Sequence, residues 1–199
     1  MLYFFCLRFL TPIAKFIFPF KVKGVENIPK GGKLIVCCNH KSVYDVLFLA
    51  APFQRQVRFM GKSELFQDHG PFVRRLLYQL GAFPVKRDKG DAEAIKTAMQ
   101  ILSDGGVVGI FPQGKCVFDN TPFKPKAGAV LVALRTHTPI LPASIYCDGI
   151  IRPFRRITVR FGKLIPYEEL NTGKESRTSI REAAEIVSQR INQLLEEKI

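Results

Sequence analysis

The 199-residue chain contains no tryptophan and few acidic residues, with 17 Asp and Glu against 30 Lys and Arg. The formal net charge of +13 indicates an anionic partner, such as a nucleic acid, acidic lipid headgroups or a phosphorylated substrate. Because 17 phenylalanines accompany this charge, a lipid surface is favoured and nucleic acid is not an expected partner. The hydrophobic share of 47% is ordinary for a globular protein and excludes a disordered or collagen-like chain.

The sequence also lacks the cysteine spacings and histidine clusters that are typical of disulfide scaffolds and metal sites. The five cysteines contain no C-x-x-C spacing, and the three histidines lie far apart. This pattern excludes a disulfide scaffold and disfavours a zinc site, so no metal ion is expected. Unpaired cysteines indicate a reducing, cytosolic environment.

The first 20 residues, MLYFFCLRFLTPIAKFIFPF, form the most apolar stretch of the chain. Two cations and two prolines argue against a membrane-spanning helix, and the late position of the charges argues against a signal peptide. Arg8, Thr11 and Lys15 form one polar stripe at helical spacing, which predicts an amphipathic helix lying in a membrane interface. Thr11-Pro12 also allows two short helices, and a helix packed on the domain's own core is the alternative interpretation.

In the remainder of the chain, short apolar runs alternate with helix-like segments. The continuous run 34–38 is typical of a strand buried on both faces. Further strands are expected at 57–60, 82–86, 107–111, 140–146 and 157–161. Helices are expected at 43–51, between Asp91 and Gly105, and at 127–135. A last helix is expected to begin at a capping box formed by Ser179 and Glu182. This alternation predicts one α/β domain, residues 21–199, with a mostly parallel, helix-covered sheet behind a membrane-associating segment, residues 1–20.

The segment CCNHKSVYD has the pattern of a reactive site. The predicted strand ends at Asn39, and His40 follows in the turn, where α/β folds place reactive groups. Asp45 comes five residues later, so its carboxylate can fold back onto one imidazole nitrogen and leave the other as a general base. The spacing alone is a weak signal, because a histidine meets an acid at a chosen separation by chance about one time in twenty.

Two other segments carry charge directly after a predicted strand. GIFPQGKC approaches the G-x-x-x-x-G-K-[ST] phosphate loop, but Pro112 has no N–H to offer a phosphate, which disfavours a nucleotide site. Lys115 in this segment could still direct its charge at a substrate phosphate. GAFPVKRD contains Lys86 and Arg87, and arginine can bind phosphate bidentately. Solvated cations at a strand end are the alternative interpretation.

Four blocks, in this order and at these separations, resemble the glycerolipid acyltransferase family, which includes the lysophosphatidic acid acyltransferases. Residues 39–45 match the family's N-H-x-S-x-x-D block in full. Residues 81–87 resemble its second block, 111–114 its F-P-E-G block and 139–142 its V-P-I-x-P block. Residues 20–29 are similar to the usual lead-in to the first block.

This resemblance implies transfer of a fatty acyl group from acyl-CoA or acyl carrier protein to the hydroxyl of lysophosphatidic acid, giving phosphatidic acid in phospholipid biosynthesis. A thioester is already activated, so no cofactor is expected, and a histidine near its ordinary pKa of about 6.5 suits removal of the hydroxyl proton. His40 is the expected base and Asp45 its orienting partner. The expected substrate contacts are Asn39, Ser42, Lys86, Arg87, Gln113, Gly114 and Lys115.

The expected partners are a membrane surface with anionic phospholipids, the lysophospholipid acceptor and the thioester donor. The expected location is the cytoplasmic face of the cell membrane, as a peripheral or monotopic protein. The third block departs from the family's F-P-E-G-T-R-S, because Gln113 replaces the acid and Cys116 takes the Arg position. Another lysolipid or glycerol 3-phosphate is therefore the alternative acceptor.

Two interpretations come from other classes. A basic membrane-binding domain without catalysis would use the same charge. A thioesterase or cysteine hydrolase would use Cys116 with a histidine, although the sequence places no histidine as its partner.

Overall fold

The computed structural model describes residues 2–86, 91–123, 125–171 and 176–196. Seven strands in this part of the chain form one sheet, in the order β1-β7-β6-β2-β5-β3-β4. Their bounds are β1 Phe20–Lys23, β2 Leu34–Cys38, β3 Val57–Lys62, β4 Phe83–Val85, β5 Val107–Ile110, β6 Ile140–Cys147 and β7 Ile157–Phe161. All neighbouring strands are parallel except β6 and β7. The predicted α/β fold with a mostly parallel sheet is confirmed.

Helices cover both faces of this sheet. Their bounds are α1 Leu2–Ile17, α2 Asp45–Ala50, α3 Ser63–Gln67, α4 Gly70–Gln79, α5 Ala92–Ser103, α6 Gly128–Thr136, α7 Tyr167–Leu170 and α8 Arg177–Glu196, with a short 3₁₀ turn at Val25–Asn27. Alternate residues of β2 enter two different cores, one shared with α1 and α2 and the other with α5, α6 and α8. Burial on both faces explains why this strand is continuously apolar.

The N-terminal segment is one helix and not two. Pro12 lies inside α1, where it removes the partner of the Arg8 carbonyl four residues earlier. Because Arg8 is exposed, water can satisfy that carbonyl. Tyr3 packs into the core, and its hydroxyl oxygen accepts a hydrogen bond of 3.1 Å from the Val57 amide. Among the described residues, no helix is both long and apolar enough to cross a membrane.

The cap of α8 lies earlier than the sequence predicts. The helix begins at Arg177, so Ser179 is inside it and does not form a capping box with Glu182. Ser176 caps the helix instead, because its hydroxyl accepts a 3.1 Å bond from the Ser179 amide while the Ser179 hydroxyl accepts a 3.0 Å bond from the Ser176 amide. A serine at both ends of this reciprocal pair takes the place of the expected Ser and Glu.

Candidate active site

His40 and Asp45 form a hydrogen-bonded pair just beyond the carboxyl end of β2. Asp45 is the first residue of α2, which folds it back over the turn that carries His40. The distance between His40 Nδ1 and Asp45 Oδ2 is 2.8 Å. Asp45 is fully buried and His40 is 7% exposed. The structure therefore brings together the two residues that the sequence predicts as a pair.

The same carboxylate organises the turn between β2 and α2. Asp45 Oδ2 also accepts hydrogen bonds from the backbone amides of Lys41, at 2.6 Å, and Ser42, at 2.9 Å. Three donors thus converge on one oxygen. Asp45 Oδ1 is buried and has no hydrogen-bond partner among the residues described by the structure.

The loop after β5 surrounds His40 on its other side. The imidazole stacks on the Phe111 ring, with 4.0 Å between ring centroids and 15° between planes. The His40 amide donates a 2.5 Å hydrogen bond to Gln113 Oε1, and the His40 carbonyl accepts one of 2.7 Å from the Val117 amide. Gln113, expected as a substrate contact, thus uses its amide oxygen to position the histidine backbone.

The histidine does not have its ordinary acidity. Burial disfavours the imidazolium and acts to lower the pKa of His40, but hydrogen bonds to Asp45 and Cys116, together with the charge of Asp45, outweigh it and raise this pKa to about 9. The expectation of a pKa near 6.5 is therefore wrong. The free base is a minor species at neutral pH, about one molecule in a hundred at two units below the pKa.

Cys116 lies close enough to the His40 side chain to raise its pKa. The thiol is half-buried. The sequence placed no histidine beside this cysteine, because His40 and Cys116 are 76 positions apart. The fold joins them through the loop after β5.

Two polar residues of the first motif join the site to β6. Asn39 Oδ1 accepts a 2.7 Å bond from the Ile145 amide, and Asn39 Nδ2 donates one of 2.9 Å to the Ile145 carbonyl. The Asn39 side chain therefore extends the hydrogen bonding between β2 and β6, with one donor and one acceptor in place of a backbone amide and carbonyl. The Ser42 hydroxyl accepts a 3.3 Å bond from the Tyr44 amide and supports the start of α2.

Lys41 is a buried residue whose role the sequence did not reveal. Its ammonium donates hydrogen bonds to Asn120 Oδ1, at 2.7 Å, and to the Cys147 carbonyl at the end of β6, at 3.3 Å. Burial lowers its pKa. Lys41 thus ties the histidine turn to two neighbouring segments.

A cavity of about 260 Å³ borders the imidazole. Its wall is mostly apolar and includes Phe111, with the cations Lys86 and Lys126 among its lining residues. Gly114 has a φ of +72°, and a Cβ there would lie 2.6 Å from Cε of Lys126. Glycine at this position therefore makes room for the lysine that packs across it. Lys126 was not identified from the sequence, where it is one cation in a loop.

Lys115, which the sequence predicts as a substrate contact, does not line this cavity. Lys115 is exposed and lines a different cleft, together with Cys116 and Ile150. Arg87 lies outside the described residues. Where the chain is described, no group of three His, Cys, Asp or Glu residues is placed to hold a metal ion.

The site thus combines an imidazole bound to a buried carboxylate with an apolar cavity that has two lysines in its lining. The family model described as Acyltransferase matches residues 19–146. The chain is 34% identical over 146 residues to the 1-acyl-sn-glycerol-3-phosphate acyltransferase of Bacillus subtilis, covering 72% of this chain and 70% of that relative. The chain therefore belongs to the acyltransferase family and is an enzyme, as the resemblance implied.

One further relative agrees with this assignment, and a solved structure shows the same fold. The 1-acyl-sn-glycerol-3-phosphate acyltransferase of Borreliella burgdorferi is 32% identical over 127 residues, and the match covers 63% of this chain and 50% of that protein. The crystal structure of the 1-acyl-sn-glycerophosphate acyltransferase PlsC from Thermotoga maritima has the same fold. It superposes with a TM-score of 0.72 at 24% identity, over 99% of this chain and 82% of that one.

Proposed function

We propose that this acyltransferase moves a fatty acyl group from an acyl-CoA or acyl carrier protein thioester to the free hydroxyl of lysophosphatidic acid, giving phosphatidic acid. The observation that carries the proposal is the pairing of His40 with Asp45 at the wall of an apolar cavity that also contains two lysines. The names of the relatives in Bacillus and Borreliella support this choice of acceptor.

The proposed chemistry needs one base and no covalent intermediate. With Nδ1 bound to Asp45, the other ring nitrogen of His40 accepts the proton of the acceptor hydroxyl as its oxygen attacks the thioester carbonyl. The new ester C–O bond forms, the C–S bond breaks, and the departing thiolate takes the proton from the imidazolium. The negative charge of Asp45 stabilises that imidazolium between the two proton transfers.

The acceptor phosphate is proposed to bind the cations at the cavity. Lys86 and Lys126 line it, and Arg87 follows Lys86 directly in the chain. Asp91 also lines the cavity, but its carboxylate is engaged by backbone amides, at 2.6 Å from Lys86 and 3.1 Å from Glu93. Lys86 and Lys126 outnumber Asp91 in this lining, so the cavity keeps an excess of positive charge for an anionic substrate group.

Replacing Lys126 by methionine is expected to raise the KM for the acceptor about tenfold or more, because a hydrogen bond to a charged group contributes about 1.5–3 kcal/mol. Methionine keeps the methylenes that pack on Gly114. The KM for the donor should change little. Arg87→Ala should likewise raise the KM for the acceptor and leave the KM for the donor nearly unchanged. Lys163→Met removes an exposed lysine beyond the end of β7 and serves as the control. Equal effects on donor and acceptor would contradict a phosphate contact.

A thioesterase is the second candidate function, because the Cys116 thiol lies close enough to His40 to raise its pKa. In that reaction His40 would take the Cys116 proton, the sulfur would attack the donor thioester carbonyl, and the leaving thiolate would take that proton from the imidazolium. Water, deprotonated by His40, would then cleave the cysteine thioester, and the fatty acid would leave as the Cys116 sulfur regains the proton.

The acceptor dependence of turnover distinguishes the two functions. For the acyltransferase, thiol release should require a lysolipid, and mass spectrometry of a mixed lysolipid and acyl-donor pool should show phosphatidic acid as the product. Cys116→Ser, which keeps a hydroxyl beside His40, should retain this activity within about tenfold, since the cysteine takes no part in proton transfer. Fatty acid release without acceptor, lost in Cys116→Ser, would instead establish the thioesterase.

The proposed enzyme works at the cytoplasmic face of the cell membrane, where its lipid acceptor lies. The exposed surface of α1 carries Phe5, Phe9 and Phe16, each more than half exposed. Such a surface suits an interfacial helix on a membrane that contains anionic phospholipids. The division of the chain at residue 20 also stays a prediction, since α1 both packs on the core and presents this apolar surface.

A further inference from the structure

The loop between β6 and β7, residues 148–156, combines exposed apolar and basic side chains. Its sequence is DGIIRPFRR, with three arginines and one acidic residue. Phe154 is 70% exposed and Ile150 is 47% exposed. All three arginines are exposed as well. Neither the acyl-transfer chemistry nor the proposed substrate contacts use any of these side chains.

Phe154 is fixed in an outward position by the backbone. Its φ of +65° lies in the left-handed region, which bulky side chains rarely adopt. The Phe154 amide donates a 2.6 Å hydrogen bond to the carbonyl of Ile17, the last residue of α1. The Phe154 ring also meets the exposed Phe16 ring edge to face, with centroids 6.4 Å apart. The loop therefore continues the apolar surface of α1.

The arginines surround this phenylalanine in the sequence. Arg152 precedes it by two residues, and Arg155 and Arg156 follow it. One Arg155 nitrogen donates a 2.7 Å bond to the Asp148 carbonyl, which fixes the base of the loop. A central aromatic ring with guanidinium groups beside it matches the layering of a bilayer, in which acyl chains lie below headgroup phosphates.

The loop lies at the same edge of the sheet as the active site. β6 runs parallel to β2, so the chain leaves both strands at the edge where His40 follows β2. Ile150 lines a cleft together with Val117, whose amide donates a 2.7 Å hydrogen bond to the His40 carbonyl. A bilayer bound at this loop would therefore face the catalytic edge.

We propose that residues 148–156 form a second membrane contact, which inserts Phe154 into the acyl layer of a bilayer and binds anionic phospholipid headgroups through its arginines. This inference rests on the proposed function, in which the acceptor is a membrane lipid. It adds a docking element beside α1 that orients the active site toward that lipid.

The absence of tryptophan from the chain makes Phe154→Trp a direct reporter in the otherwise intact protein. With vesicles of phosphatidylcholine and phosphatidylglycerol, its emission should shift to the blue and be quenched by lipids brominated on the acyl chain. The matched reporter is Leu164→Trp, at a position beyond the end of β7, which is antiparallel to β6 and so ends at the opposite edge. This second variant should show neither change. Unshifted emission from vesicle-bound Phe154→Trp protein would overturn the proposal.

The arginines are tested by removing their charge. The triple variant Arg152→Gln, Arg155→Gln and Arg156→Gln should bind the same anionic vesicles about 100-fold more weakly, from about 1 kcal/mol for each basic residue near the surface. The matched variant Lys96→Gln, Arg135→Gln and Lys163→Gln removes three exposed charges elsewhere and should bind nearly as the parent does. Equal weakening in both triples would overturn the proposal. Neither assay measures turnover, so failure here is distinguishable from failure of the proposed acyl transfer.

Discussion

Replacing His40 by alanine is expected to lower kcat/KM for acyl transfer by about 10²- to 10⁴-fold, the usual contribution of a positioned general base. The substitution removes the proposed base, while the cavity lysines remain. The measurement is the rate of phosphatidic acid formation by mass spectrometry, together with release of the donor thiol. Binding to vesicles should be unchanged, because His40 is buried and the substitution leaves the exposed phenylalanines of α1 in place.

Loss of the base must be separated from loss of the fold, because His40→Ala also leaves Asp45 buried without its imidazole partner. His40→Gln retains an amide N–H that can reach the carboxylate, but it cannot serve as the base. It should unfold at nearly the parent temperature and be as inactive as the alanine variant. His69→Ala, at an exposed histidine, should keep full activity. Undiminished turnover in either His40 variant would remove the dyad mechanism.

The parts of the fold that the sequence predicts are those determined by residues close together in the chain. The strand 34–38 was evident because burial on both faces makes every residue apolar. The pair of His40 and Asp45 was evident because a turn and the first residue of α2 span only five positions. The direction of β7 was not evident, because this strand is buried on both faces and therefore lacks the alternation typical of an antiparallel strand.

The rest of the site depends on contacts between distant residues. Gln113 binds the His40 amide across 73 positions, and Lys41 reaches the Cys147 carbonyl across 106. Neither contact leaves a periodic signal, because each depends on which strands become neighbours. The same holds for Cys116, whose histidine partner appears only after β2 and β5 pair.

The acidity of His40 was mispredicted for a related reason. Residue type gives a reference pKa, but the shift depends on the balance between burial and partners. Here the Asp45 and Cys116 hydrogen bonds outweigh burial and raise the pKa to about 9. A base of this strength holds the proton taken from the acceptor hydroxyl more firmly. The unprotonated imidazole is, however, present in a smaller fraction of molecules at neutral pH.

Replacing Asp45 by asparagine is expected to lower kcat/KM by about 10²-fold above pH 9, the lower end of the contribution of general-base catalysis. The Lys41 and Ser42 amides both point at Oδ2, so the asparagine oxygen should occupy that position and keep the ring in the same tautomer. The variant thus loses mainly the negative charge that stabilises the imidazolium. Thermal unfolding of the variant checks that the buried amide is tolerated.

The pH dependence separates this electrostatic role from a purely structural one. In the parent enzyme kcat/KM should rise about tenfold per pH unit and level off near pH 9, because only neutral His40 accepts a proton and its pKa is raised to about 9. Without the Asp45 charge, burial acts with less opposition and lowers the pKa of His40, so the inflection should move to lower pH. The loss of activity should therefore shrink as the pH falls toward 6. Asp68→Asn, at an exposed acid, should leave the profile unchanged, and an unshifted inflection in Asp45→Asn would contradict the assigned role.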